Sequence, residues 1–241
     1  MPAGESPPMR VEVITVGDEL LAGDTVNTNA AWLGRELDER GVRVERMVVV
    51  PDRVGDIART VNEARAEFDA VVVTGGLGPT HDDVTLAGVA AALGREVAEH
   101  PDAAAWFDDH RDYRRADLLD GTTALPVGAR MLPNEAGVAP GAVVEGDDGV
   151  PIYVLPGVPT EMKAMFRTVA DELEGTRRTR TFVETGEPES ALVGHFDDLR
   201  ERFDVSVGSY PGEEGVRVKI QAEDAEAVEA AAAWLREHID A

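Results

Sequence analysis

Apolar and polar positions fall into blocks whose spacing switches repeatedly along the chain. Val11–Val16 is an apolar run that stops at Gly17 and predicts a buried strand. Ala30, Leu33 and Leu37 recur at helical spacing up to Gly41. Val42–Val50 predicts the next strand, stopped by Pro51, and Ile57, Val61, Ala64 and Phe68 follow the helical period. Ala70–Val73 predicts a third strand, and Leu86, Val89 and Leu93 a helix ended by Gly94. This alternation of strand and helix predicts an α/β domain with a mostly parallel sheet covered on both faces.

The middle of the chain is less regular. The charged stretch Pro101–Asp120 predicts a partly exposed helix. Met131–Leu132, Ala142–Glu145 and Ile152–Leu155 read as short strands, with Asp147-Asp148-Gly149 as a turn between the last two. Met162, Met165, Phe166, Val169 and Leu173 mark one helix face. Glu174-Gly175-Thr176 is a boundary signal. Beyond it, Thr179–Val183, Val205–Val207 and Val216–Gln221 predict strands, and Ser190–Phe203 and Ala225–His238 predict helices. Residues 1–9 read as a flexible tail, 10–174 as the α/β domain, and 176–241 as a small α+β domain of the split-βαβ kind.

Composition narrows the function classes. Of 241 residues, 43% are hydrophobic and 29% charged, which is a globular balance. Cys is absent, which excludes a disulfide scaffold, a thiolate nucleophile and a Cys-ligated zinc site. No run approaches the roughly 18 apolar residues of a membrane helix, and no signal-peptide pattern opens the chain, so a cytoplasmic protein without a membrane partner is expected. The 47 acidic residues against 23 basic ones give a net charge of −24, a field that disfavours nucleic acid as a partner. The only lysines are Lys163 and Lys219; acid excess with so little Lys resembles proteins of salt-loving archaea.

In an open parallel sheet, ligands bind beyond the carboxyl ends of the strands, and three predicted strand ends carry unusual residues. The first is Gly17-Asp18-Glu19-Leu20-Leu21, continuing to Asn27-Thr28-Asn29. Gly17 would let a ligand approach the backbone, and Asn27 and Asn29 could hold an anion at a helix start or simply cap a long loop. The second is Thr74-Gly75-Gly76-Leu77-Gly78-Pro79-Thr80-His81-Asp82-Asp83, whose glycines could wrap a phosphate. Thr80 and Asp83 also fit a capping box, with Thr80 as N-cap, which leaves Asp82 as the first choice for a metal ligand or general base. His81 reads as a loop histidine. The third is Leu155-Pro156-Gly157-Val158-Pro159-Thr160-Glu161-Met162-Lys163. Here Glu161 is ordinary helix-dipole compensation, and Lys163 is a compact counter-charge for phosphate in a chain that otherwise uses Arg.

Together with Leu132-Pro133-Asn134-Glu135-Ala136-Gly137 and Ala139-Pro140-Gly141, these segments resemble the amino-terminal domain of the CinA (competence/damage-inducible) family. That domain is shared in fold with molybdenum-cofactor proteins of the MogA and MoeA type. Gly78–Thr85 is also similar to the corresponding domain of eukaryotic FAD synthase. The resemblance covers about residues 10–172, and the remainder resembles the small domain that follows in CinA proteins. It implies a three-layer α/β fold and a pyrophosphatase acting on a nucleotide such as ADP-ribose or FAD with a divalent metal (Mg, Mn or Co). The implied metal ligands are Asp82 and Asp83, with Glu19 and Lys163 as further catalytic residues. Gly17, Asn27, Asn29, Thr74, Gly75, Gly76, Gly78, Pro156, Gly157 and Glu161 would bind substrate. The same resemblance leaves open molybdopterin binding or adenylyl transfer, or a non-enzymatic nucleotide-binding module. It implies a homo-oligomer, dimer or trimer. The chain ends at Ala241, so the nicotinamide-mononucleotide deamidase domain of full CinA proteins is not expected.

Overall fold

A computed structural model describes residues 8–78, 81–109, 119–212 and 215–240. The chain divides into two compact units, Met1–Gly175 and Thr176–Ala241.

The first unit opens with β1 (Arg10–Val16), α1 (Asp18–Ala22), α2 (Thr28–Glu39), β2 (Arg43–Val50), α3 (Val54–Glu67), β3 (Ala70–Gly75) and α4 (Thr85–Ala92). After β4 (Val97–Glu99), α5 (Pro101–Asp109) and β5 (Ala124–Pro126) come β6 (Arg130–Leu132), β7 (Gly141–Glu145), β8 (Pro151–Pro156) and α6 (Pro159–Val169). The main sheet has the order β2-β1-β3-β8-β7-β6. β2, β1, β3 and β8 run parallel, and β7 and β6 complete the sheet by antiparallel pairing. Because β3 and β8 are buried on both faces, their sequences are near-continuous apolar runs rather than alternating ones.

Strand parity sorts the core into two layers. Ile14, Val71, Val73, Ile152 and Val154 pack with Ile57 and Val61 of α3 and Val89 of α4. Val11, Val13, Val72, Tyr153 and Leu155 pack with Leu33 and Leu37 of α2 and Met162, Met165 and Phe166 of α6. The result is the expected three-layer sandwich. Met9, placed by sequence in the tail, also packs on the second layer, and its carbonyl accepts from Arg43 N at 2.8 Å.

Three local expectations change. Residues 18–22 form a short helix where the sequence suggested only a loop. A separate two-stranded sheet, β4-β5, was not foreseen, because its three-residue strands are too short to show a period. The helix expected over Pro101–Asp120 is present as Pro101–Asp109, and residues 110–118 lie outside the described residues.

The second unit consists of β9 (Thr179–Thr185), α7 (Glu189–Phe203), β10 (Ser206–Gly212), β11 (Gly215–Ala222) and α8 (Ala225–His238). β11 lies between β10 and β9 and runs antiparallel to both, so β9 and β10 are parallel with a strand inserted between them. That is the split-βαβ arrangement. Val183, Val216, Val218 and Ile220 face Leu192, Phe196, Val228 and Leu235 from the two helices. Among the described residues no helix is long and apolar enough to cross a membrane.

Candidate functional site

The three strand ends singled out by sequence are brought to one edge. β1, β3 and β8 are neighbours in the sheet and run in the same direction. The chain goes outward from β1 to β2 and later from β3 to β8 on the other side, so the order reverses between β1 and β3. That is the crevice position favoured for ligands in open α/β sheets. β6 runs with β8, so its following loop, residues 133–140, reaches the same edge.

The first loop is fixed by side chains facing its own backbone. Asn27 caps α2: its Oδ1 accepts from Ala30 N at 3.0 Å, and its Nδ2 donates to Thr15 Oγ1 at 3.1 Å. Asp18 N donates to Asp52 Oδ2 at 2.8 Å, which ties α1 to the turn after β2. The Glu19 carboxylate folds back over Gly17, in the space that a Cβ at residue 17 would occupy. Asn29 is buried and donates from Nδ2 to the Gly157 carbonyl at 2.7 Å, joining the first loop to the third. Gly157 in turn packs on Gly75, where an added Cβ would lie 3.4 Å from the Gly75 carbonyl group.

The second loop departs from the sequence reading. α4 starts at Thr85, with Val84 in the cap position, so Thr80 and Asp83 do not form a capping box for it. Thr80 itself lies outside the described residues. Asp83 instead places its carboxylate against Gly76 and Gly78, and a Cβ on either glycine would overlap it. Absent side chains at these two positions therefore let an acidic group sit against the loop. Asp82 is 73% exposed beside His81, whose ring nitrogen is 3.9 Å away. Gly75 has Thr85 Oγ1 directly beneath it.

The geometry adds residues that the sequence reading had not assigned to the site. Asn134, in the β6–β7 loop, is buried and donates to the Ala139 carbonyl at 2.9 Å and to Glu161 Oε2 at 2.7 Å. The Glu161 carboxylate also fills the space beside Gly137. Glu161 therefore does more than offset the α6 dipole: it pins the 133–140 loop to the start of α6. An Asn between Pro133 and Glu135 was the visible signal, but nothing in the sequence showed which helix it met. Lys163 lies one turn into α6 with its ammonium 5.7 Å from the centre of the Trp32 ring, over which Arg167 also lies. That is a cation–π placement on α2.

Four of the eight buried side-chain atoms without a hydrogen-bond partner among the described residues belong to this edge: Asn29 Oδ1, Thr74 Oγ1, Thr85 Oγ1 and Asn134 Oδ1. Buried polar atoms of this kind are ones that a ligand or water can satisfy. No group of three metal-binding side chains occurs among the described residues. An Mg²⁺-type ion needs only one or two carboxylates, its shell being completed by substrate oxygens and water; the carboxylates of this loop are Asp83, against Gly76 and Gly78, and Asp82, exposed beside His81.

Comparison with known proteins accords with this architecture. The family model described as a probable molybdopterin binding domain matches residues 12–175, and that described as the middle domain of FAD synthase matches residues 179–241. A protein of Aeropyrum pernix is 44% identical over 94% of this chain and 90% of its own length. A CinA-like protein of Salinibacter ruber is 40% identical over 89% of this chain, which spans only 55% of that relative. The crystal structure of CinA from Thermoplasma acidophilum, a protein of unknown function, superposes with a TM-score of 0.64 at 37% identity, covering 69% of this chain and 98% of that one. The chain thus belongs to the CinA-type family of molybdopterin-binding-like domains, here followed by a domain of the kind found in the middle of FAD synthase.

Proposed function

We propose that this edge binds the phosphates of a nucleotide and hydrolyses its pyrophosphate, with ADP-ribose and FAD as the substrate class. The observation that carries the reading is the glycine loop after β3, with the Asp83 carboxylate against Gly76 and Gly78. A loop without side chains lets backbone N–H groups reach a phosphate, and carboxylates beside it give a divalent ion a place next to the same phosphate. In this reading Asp82 and Asp83 would hold the ion, with Glu19 assisting from the first loop. Such an ion (Mg, Mn or Co) would supply charge neutralisation at the phosphoryl oxygens and a more acidic water. The backbone N–H groups of Gly17, Gly75, Gly76 and Gly78 would face the substrate phosphates, while their missing side chains leave room for Glu19, Thr85 and Asp83. Asn27, Asn29, Thr74, Pro156, Gly157 and Glu161 shape the walls, and Lys163 offsets charge on the phosphates. Water adds to one phosphorus, the bridging P–O bond breaks, and AMP leaves with ribose 5-phosphate or FMN as the second product.

Pterin binding uses the same kind of cradle, because a backbone nest does not distinguish pterin phosphate from nucleotide phosphate. The family name and the CinA-like relatives support that coarser reading of nucleotide or pterin binding. The test is incubation of the full chain with ADP-ribose or FAD and Mg²⁺, Mn²⁺ or Co²⁺, with AMP followed by chromatography. Expected is AMP release that a chelator stops and that Asp82→Asn abolishes while the fold is retained. Tight binding of a pterin phosphate with no AMP from either nucleotide would refute hydrolysis and leave binding.

A further inference from the structure

β9 forms one edge of the small sheet, pairing with β11 on one side only. It is seven residues long, contains no Pro, and keeps an unbroken register with β11. Phe182 is 40% exposed on it. Natural edge strands are normally blunted by Pro, bulges, brevity or charged side chains, because an open edge is a template for another strand; of these β9 has only the charges, Arg180 and Glu184. Beside this edge lies a cavity of about 430 Å³, lined by Phe182, Val183, Glu184, Arg236 and Ile239. In a sheet extended past β9, the inward side chains of the added strand would enter that space.

The sequence of β9 says what the added strand is. Thr179-Arg180-Thr181-Phe182-Val183-Glu184-Thr185 is self-complementary about its central residue. Pairing two copies antiparallel around a two-fold axis at Phe182 sets Arg180 opposite Glu184 of the other copy, and does so twice. Thr181 falls opposite Val183, and Phe182 meets its own copy. Residues opposite each other then share parity, so both helical layers stay on one face of a continuous six-stranded sheet. Opposite charges and aromatic pairs directly across an antiparallel ladder are the stabilising pairs. An isologous contact of this kind closes as a dimer and leaves no further edge at β9.

We propose that the β9 edge is a dimerisation surface, on which a second copy of this chain pairs antiparallel through Thr179–Thr185. The test uses the full chain. Sedimentation should give a concentration-dependent mass approaching twice 25.8 kDa. Arg180→Glu and Glu184→Arg each set like charges opposite one another across the seam, and Glu184→Arg also faces Arg217 of its own β11; each alone should raise Kd about tenfold or more. Mixing the two variants restores both opposite-charge pairs in a heterodimer, and affinity should return toward that of the wild type. Local damage to the fold would not be rescued by mixing. The chain lacks Cys, so Phe182→Cys should form an intermolecular disulfide on oxidation, whereas Val193→Cys, exposed on α7, should not. A monomer at every concentration, a dimer that Phe182→Cys does not cross-link, or variants that mixing fails to rescue would each overturn the proposal.

Discussion

Gly76→Ala and Gly78→Ala separate the cost of crowding the β3 loop from the value of the carboxylate it accommodates. At residue 78 the nearest atoms that an added Cβ meets belong to the side chain of Asp83, whose carboxylate can rotate away. At residue 76 it overlaps the same carboxylate and also comes within 3.3 Å of Asp83 Cα, so the backbone must give as well. Overpacking that moves backbone costs about 1–3 kcal/mol, whereas the flexible end at residue 78 should yield for less than about 1 kcal/mol. Both substitutions displace the Asp83 carboxylate, and misplacing an active group by about 1 Å can cost 10²-fold in rate. Expected, then, is a similar and large loss of AMP release from ADP-ribose in both variants, with a clear fall in stability to urea only for Gly76→Ala. Adding Asp83→Ala to Gly76→Ala should recover part of that stability and none of the activity. Wild-type turnover in Gly78→Ala would refute the idea that the carboxylate acts from its place against the loop.

Three further outcomes are expected. Glu12 is fully buried on β1 and bonded to Arg46 at 2.6 Å; burial raises its pKa above the usual carboxylate value, while Arg46 pulls it back. Arg46→Ala should cost about 2–3 kcal/mol at neutral pH, less than a fully enclosed pair because Arg46 is about a third exposed. A raised folded-state pKa means that stability is retained at low pH and lost as pH rises through it. The penalty should therefore shrink on acidification, and urea melts that show no pH dependence would contradict this. Asn134→Ala removes the bond to the Ala139 carbonyl within the 133–140 loop and the bond that ties this loop to Glu161; it should cost about 1–3 kcal/mol and raise KM more than it lowers kcat, as steady-state kinetics would show. Lys163→Ala should lose about tenfold or more in kcat/KM, and Lys163→Arg, which retains a cation over Trp32 but not the compact ammonium, should also lose activity at constant stability; wild-type activity in Lys163→Arg would refute the need for the ammonium.

Much of the fold was legible because burial imposes its period on the sequence. β3 and β8 read as continuous apolar runs since both of their faces are covered, and Ala225–His238 is a helix by its spacing, with Asp224 capping it in the structure. Thr85 could not be recognised as the start of α4. Thr80 and Asp83 carry the local signature of a cap, whereas in the fold the Asp83 carboxylate lies against Gly76 and Gly78 and the helix starts at Thr85. The sequence alone determined that glycines, carboxylates and amides occur at the carboxyl ends of strands, since that follows from local order along the chain. Only the tertiary structure decided that Asn29 meets Gly157 and that Asn134 meets Glu161, pairs separated by 128 and 27 residues. Such contacts depend on which strands become neighbours, and strand order is set by packing the whole sheet between its two helical layers rather than by any local run of residues.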